Sequence, residues 1–410
     1  MKKLLLLLLC VPLIGLGQGW SYTYGTTEDD YGSSFVKTID GGYLIAGATE
    51  SGSFPPNAYL IKTDFQGDTL WSKVFQNDGF TEIKQTLDGG YIMIGSERFG
   101  IWTSGNSNIW WTKIDYNGNI EWEQMIGGMS GADYGYRIEQ TVDTGYICLG
   151  KMDSIGMGGV WLIKIDKDGN EEWTQTFGGT PRDFIATSDG GYLIVGRTPS
   201  PDNHILLIKT DLNGNLLWDN VLGIGSLSTS VLENPNGGYV IVGYDSTGNS
   251  LLIKTDNNGN QIWSQTFFYV LGLPTDFILT IEGNYIIAFS YNDPGNYTSL
   301  MKTDSLGNIV WIQQLGGSQS DYISEIQVSQ DSGYIAVGWT ESFATIGASD
   351  VWLLKIDENG NTTSTFNIPM PLTNRKLEKV VDILGREVNP EKNNPFIEIY
   401  NDGTVEKKII

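Results

Sequence analysis

Trp161-Leu-Ile-Lys-Ile-Asp-Lys-Asp-Gly-Asn-Glu-Glu-Trp173 is the stretch from which the rest of the chain can be read. Leu162, Ile163 and Ile165 form a short apolar run with two branched residues, the composition of a buried strand. Asp166 to Asn170 supply turn chemistry. Gly169 can take the left-handed conformation a tight loop requires, and Asp and Asn side chains bond their own backbone. A second strand follows, carrying Trp173. The stretch therefore predicts an antiparallel hairpin.

The hairpin recurs. Lys-x-Asp stands at Lys62/Asp64, Lys113/Asp115, Lys164/Asp166, Lys209/Asp211, Lys254/Asp256, Lys302/Asp304 and Lys355/Asp357. A glycine follows each Asp by three residues. A tryptophan follows the first six by seven, at Trp71, Trp122, Trp173, Trp218, Trp263 and Trp311. A second landmark, Gly-Tyr or Asn-Tyr before branched apolar residues, marks Tyr43, Tyr91, Tyr146, Tyr192, Tyr239, Tyr285 and Tyr334. The mean spacing is about 48 residues, which signals a repeat architecture. Each period holds four strand-like segments and no helical pattern, so the fold class is all-β and the architecture a seven-bladed β-propeller.

The seventh hairpin has Ser364 where its tryptophan should stand. The missing strand is at the other end, in Trp20-Ser-Tyr-Thr-Tyr24, which resembles Trp173-Thr-Gln-Thr-Phe177. Trp20 precedes Tyr43 by 23 residues, and Trp311 precedes Tyr334 by the same number. The N-terminal strand is expected to complete the last blade, closing the ring and removing two sheet edges. Full docking of each tryptophan would bury about 150–250 Å², roughly 4–6 kcal/mol gross per blade.

The chain has 410 residues and a net charge of −23, with 48 acidic residues against 25 basic. Phosphate backbones need a basic face, so nucleic acid is excluded as a partner. Met1-Lys-Lys and the apolar run Leu4–Leu16 read as a secretory signal peptide over residues 1–17, too short to span a membrane. Leu9 before Cys10 is not small, which argues against a lipoprotein. No transmembrane segment follows the expected cleavage. Only Cys148 remains beyond the signal, so no intramolecular disulfide is possible, and its strand Tyr146-Ile-Cys-Leu149 makes it a core residue. The ring is expected over residues 18–366, as a monomer.

Turns between first and second strands (Asp-Gly-Gly) and between third and fourth (Gly-Asn) are stereotyped. Connections from second to third strand, and from blade to blade, vary. In an up-and-down blade the two variable sets share one face, which is the expected working face. Two groups of aromatics lie there: Arg98, Phe99 and Trp102 in the long blade-two loop Ser96–Asn108, and Trp339 with Phe343 in blade seven. These five are the candidate ligand-binding residues, since aromatics with arginine form binding hot spots. The bland alternative is packing over the blade rim.

Other chemistry is thin. Asp-x-x-Gly-x-x-x-Trp resembles the tryptophan-docking repeat of quinoprotein propellers and the Asp-box of sialidases, both structural motifs. Asp30, Asp78, Asp133, Asp183, Asp276 and Asp321 recur before the innermost strand, with Ser226 in blade five. They read as turn caps, or else as an acidic ring at the axis able to hold cations. His204 is the only histidine and cannot build a zinc site alone. No catalytic residue, cofactor or metal is expected.

Residues 367–410 break the period, as a linker and a separate small β module. Lys379-Val-Val-Asp-Ile-Leu-Gly-Arg-Glu387 and the ending Tyr400-Asn-Asp-Gly-Thr-Val-Glu-Lys-Lys-Ile-Ile410 resemble the type A C-terminal sorting domain of type IX secretion substrates of Bacteroidetes. The resemblance covers about a tenth of the chain. It implies the type IX machinery as a partner, export across the outer membrane, and a secreted or outer cell-surface product. The ring resembles the secreted repeat propellers joined to such tails. The function expected is a non-catalytic binding or surface module. Its ligand would be a neutral glycan or a protein, because an acidic axis would repel anions. The alternative is a glycan-acting hydrolase or lyase with its site on the same face, marked by close carboxylates or an arginine cluster at the axis.

Overall fold

The computed structural model describes residues 19–50, 56–75, 79–98, 107–128, 131–153, 159–199, 203–223, 225–267, 272–290, 298–329, 331–344, 349–362, 377–381, 395–400 and 405–409. Residues 1–17, the expected signal peptide, lie outside these. The chain divides into two compact units, Met1–Ser364 and Thr365–Ile410. The first contains seven four-stranded antiparallel sheets. Six are built from consecutive strands, as in blade one: Asp30–Lys37, Tyr43–Thr49, Asn57–Thr63 and Thr69–Phe75. In the seventh, the strand Trp20–Tyr24 lies outside Asp350–Ile356, Tyr334–Thr340 and Asp321–Val328. The second unit is a three-stranded antiparallel sheet of Leu377–Val381, Pro395–Tyr400 and Val405–Ile409.

Register decides that Trp20 is the seventh tryptophan. It pairs with Lys355 as Trp71 pairs with Lys62 and Trp173 with Lys164. The ring of Trp20 meets Tyr43 edge-on at 5.9 Å, as Trp122 meets Tyr146 at 6.1 Å. Each tryptophan thus clips its own blade to the next. It also covers the next hairpin's glycine: an added Cβ at Gly118, Gly169 or Gly214 would lie 2.5–2.7 Å from the rings of Trp71, Trp122 and Trp173. At the closing seam Tyr22 takes over that cover, 2.6 Å from a Cβ on Gly67. The tryptophans are only half-buried at these seams, so each stabilises by less than full docking would.

Second and third strands are apolar and buried from end to end, while the fourth alternates exposed and half-buried residues. Lysine in the third strand is the exception. Lys62, Lys113, Lys164 and Lys209 are buried and reach the Asp of the first turn: Asp40 at 2.8 Å, Asp88 at 2.9 Å, Asp143 at 3.0 Å and Asp189 at 2.9 Å. Lys355 pairs with Asp331 likewise. A buried ammonium is tolerated only when paired, so the repeating lysine ties the stereotyped turn to the third strand. Burial opposes ionisation of Asp88, but the Thr86 hydroxyl, the Gly90 N–H and Lys113 bring its pKa down to about 2. Cys148 is fully buried, and burial pushes its thiol pKa up.

Each innermost strand carries a bulge, between Gly32 and Ser34 in blade one and between Ile323 and Glu325 in blade seven. In every blade but the sixth, where Phe289 stands, a glycine in the second strand opposite makes room for it. A Cβ on Gly47 would lie 1.9 Å from the Tyr31 carbonyl oxygen, and one on Gly338 1.8 Å from that of Tyr322. The bulge re-aims the next side chain toward the axis.

Candidate ligand-binding site

The residue after the bulge forms one row around the axis: Ser34, Glu82, Arg137, Asp183, Ser230, Asp276 and Glu325. Innermost strands present a free edge there, and this row caps it. Glu325 accepts from the Phe35 N–H at 3.2 Å, and Ser34 from Ile83 at 3.2 Å. Glu82 accepts from Ile138, Asp183 from Val231 at 2.9 Å, and Asp276 from Ile326 at 3.0 Å. Arg137 Nε donates to Asp183 Oδ1 at 2.8 Å. Ser230 Oγ lies 2.8 Å from Asp183 Oδ2 and 3.2 Å from Asp276 Oδ1. Each blade is thereby bonded to the next in a closed belt.

The six aspartates grouped in the sequence divide into two rows. Asp183 and Asp276 belong to the belt. Asp30, Asp133 and Asp321 lie four residues before their belt residues and cap the turns leading into the strand. Asp30 accepts from the Thr26 hydroxyl at 3.0 Å, Asp133 from the Gly128 N–H at 3.1 Å, and Asp321 from Gly317 at 2.8 Å. Asp78 lies outside the described residues. The cap reading therefore holds for these three, and Glu82 and Glu325 supply the remaining axial carboxylates. Among the described residues no cluster of three metal-ligating side chains occurs.

Above the belt, on the variable-loop face, a cavity of about 810 Å³ opens around the axis. The residue inside each bulge forms a second row, Ser33, Thr81, Tyr136, Arg182, Thr229, Thr275 and Ser324, of which Thr81, Tyr136, Arg182, Thr229 and Thr275 line the cavity. Five blades supply a small serine or threonine hydroxyl and two do not. Thr81 donates to the Gly135 carbonyl at 2.9 Å and Ser324 to that of Gly32 at 2.7 Å, again blade to blade. Tyr136 and Arg182, in adjacent blades, break the pattern. Tyr322, Tyr244, Ser246, Leu273 and Pro274 complete the cavity with them. Burial raises the Tyr136 and Tyr322 phenol pKa values, and the positive charge of Arg182 holds both back.

No family model and no curated protein matches this chain. The fold is a β-propeller. Among solved structures, the WD40 β-propeller domain of Doa1 is similar at a TM-score of 0.51 and 11% identity, over 81% of this chain and 95% of that one. A protein of unknown function from Bacteroides caccae is similar at a TM-score of 0.44 and 14% identity, over 68% and 97%. These are likenesses of fold.

The sequence candidates lie in different places. Phe99 and Trp102 fall outside the described residues. Arg98 ends the strand Tyr91–Arg98. Trp339 is half-buried and stacks on Tyr322 at 5.9 Å, with Tyr31 edge-on at 5.7 Å. It backs a wall residue of the cavity. Phe343 packs against Trp352 at 5.7 Å, on the core of blade seven. His204 closes a loop through its backbone, its N–H donating to the Thr198 hydroxyl at 2.9 Å.

Proposed function

We propose that this protein is an exported, non-catalytic binding module whose ligand, a glycan or a protein segment, enters the axial cavity on the variable-loop face. The observation that carries the reading is the cavity itself. Its volume lies within the range of small-ligand clefts, roughly 300–1,000 Å³, and its wall combines tyrosine rings with a row of hydroxyls. The carboxylates beneath it are occupied in joining blades, which supports binding over catalysis. A glycan array probed with the intact protein tests this, with Tyr322→Ala as the control. Binding should weaken about 5- to 100-fold in that variant, the loss of one aromatic contact of 1–3 kcal/mol. Equal binding would reject the cavity as the site.

The second reading, a glycan-acting hydrolase or lyase on the same face, is favoured by one observation: two arginines, Arg137 and Arg182, converge at the axis. New reducing ends or unsaturated products after incubation with array-positive glycans would establish it in place of the binding module.

Residues 372–410 serve in this proposal as the type IX sorting address, on the strength of their motifs. Truncation at Pro371, in a host with that pathway, should abolish export while leaving the ring's cooperative melting intact. Secretion at the parent level would reject the address, and loss of cooperative melting would reject the independence of the ring.

A further inference from the structure

We infer that the axial cavity selects a sugar bearing a single carboxylate, a uronate, and that Arg182 is the residue that reads the charge. The inference rests on the glycan form of the proposal above and goes further by fixing the ligand's charge.

Three observations converge. First, the seven equivalent positions, five of which line the cavity, show the scaffold's requirement in five blades: a small hydroxyl side chain. Arginine in one blade and tyrosine beside it depart from that requirement. Second, Arg182 has no counterion. Among the described residues it makes no ion pair, and its buried Nε has no hydrogen-bond acceptor. A buried donor without a partner calls for an explanation, and a guanidinium presents a fork matched to a carboxylate. Third, the neighbouring axial cations are already paired. Arg137 lies 2.8 Å from Asp183 and 3.8 Å from Glu82, and Lys84 lies 3.1 Å from Glu82. The only lining carboxylate among the described residues, Asp245, is held within its own turn by the Thr247 and Asn249 N–H groups at 2.8 and 3.0 Å.

Among the described residues, Arg182 is thus the lining cation with no carboxylate bonded to it. That suits a monoanion and leaves a phosphate dianion undercompensated. The walls specify the rest. The Thr81, Thr229 and Thr275 hydroxyls each have a carbonyl acceptor within 3.4 Å, so their lone pairs face outward to accept from a polyol. Tyr136, Tyr244 and Tyr322 offer ring faces to the apolar side of a pyranose. The sequence had suggested a neutral ligand because six aspartates were grouped at the mouth. The structure places Asp183 and Asp276, with Glu82 and Glu325, in the belt below the cavity, each already accepting from the next blade.

The test is titration of the full chain with galacturonate, glucuronate and trigalacturonate, against galactose, glucose and inorganic phosphate. The uronates should bind at least about tenfold more tightly than the neutral sugars, the size of a charge-assisted hydrogen-bonded pair. Their affinity should fall with added salt. Arg182→Gln should reduce the uronates to the level of the neutral sugars and leave the melting temperature unchanged. Arg182→Lys should retain part of the preference. Equal binding of acidic and neutral sugars would overturn the inference while leaving a glycan site standing. So would unchanged uronate affinity in Arg182→Gln, or tighter binding of phosphate. Binding of no sugar at all would overturn both the inference and the glycan reading.

Discussion

Deleting residues 18–25 should lower the melting temperature by about 7 °C or more and make the protein self-associate. The deletion removes the strand Trp20–Tyr24, which pairs along its whole length with Val351–Lys355. Tyr24 is buried, and its hydroxyl donates to the Gly67 carbonyl at 2.6 Å in the next blade. Trp352 Nε1 donates to Ser21 at 2.8 Å. Trp20 and Tyr22 cover Tyr43 and Gly67. Losing a half-buried indole costs about 2 kcal/mol, below the 3–5 kcal/mol of a fully buried aromatic, and Trp20→Ala alone should show that smaller loss. The whole strand carries two further aromatics and a ladder, so about 5 kcal/mol or more is at stake. At about 2.1 cal/mol/K per residue, a ring of roughly 350 residues shifts its melting by about 1–2 °C for each kcal/mol. The newly exposed edge would belong to Asp350–Ile356, an apolar strand, and such edges pair with other chains. Calorimetry and light scattering decide the matter. A deletion that melts like its parent and remains monomeric would mean the seventh blade does not depend on this strand.

The ring and its closure were legible because their signals are residue types repeated at a fixed distance. Lys, Asp, Gly, Trp and Tyr each serve one local purpose in every blade, so each copy reinforces the others. Trp20 was found by its spacing and by the likeness of Trp20–Tyr24 to Trp173–Phe177, and its pairing with Lys355 follows. The axial rows were not legible in that way. Their residues differ from blade to blade because each bonds a different neighbour, and the bulge shifts the count by one. Grouping aspartates by type therefore mixed Asp183 and Asp276, which lie nine residues before their tyrosines, with Asp30, Asp133 and Asp321, which lie thirteen before. Counting back from Tyr43, Tyr91 and their equivalents does find the belt, nine residues upstream in all seven blades. Ten residues upstream it finds Tyr136 and Arg182 among hydroxyls. The information was in the spacing, but nothing in the sequence marks that row as facing a cavity. The tryptophans were legible as to place and misjudged as to depth, since a pattern of types does not report how far a ring is buried.

Replacing Arg137 by Met should cost about 3–5 kcal/mol at neutral pH, and much less at pH 5. Arg137 is the cation that the Asp183 and Glu82 carboxylates share, and Asp276 and Glu325 also feel its charge. Burial alone would lower its pKa, yet these acids raise it. Removing one partner from a buried charge network leaves the others uncompensated, which is where the cost arises. The pH dependence follows from Asp276. Burial, with the Glu325 charge, raises its pKa from 3.8 to about 7, against the pull of Arg137. The geometry agrees: the single Ser230 proton goes to Asp183, so a protonated Asp276 can donate to Ser230 Oγ. A carboxyl whose folded pKa exceeds its unfolded value contributes stability that is complete below about pH 4 and lost as pH rises through 7. At about 1.4 kcal/mol per unit, three units amount to about 4 kcal/mol. The turn aspartates with depressed values, such as Asp88 at about 2, act oppositely and only below about pH 4. Stability should therefore peak near pH 4 and decline through pH 7. Asp276→Asn, which keeps an acceptor for the Ile326 N–H, should flatten that decline. Arg137→Met should steepen it, because every neighbouring carboxyl then gains more from a proton. Unfolding curves at pH 5 and pH 8 for the three proteins test this. A penalty for Arg137→Met that is equal at both pH values would show that the belt carries no strained charge, and a decline that persists in Asp276→Asn would assign it to another group.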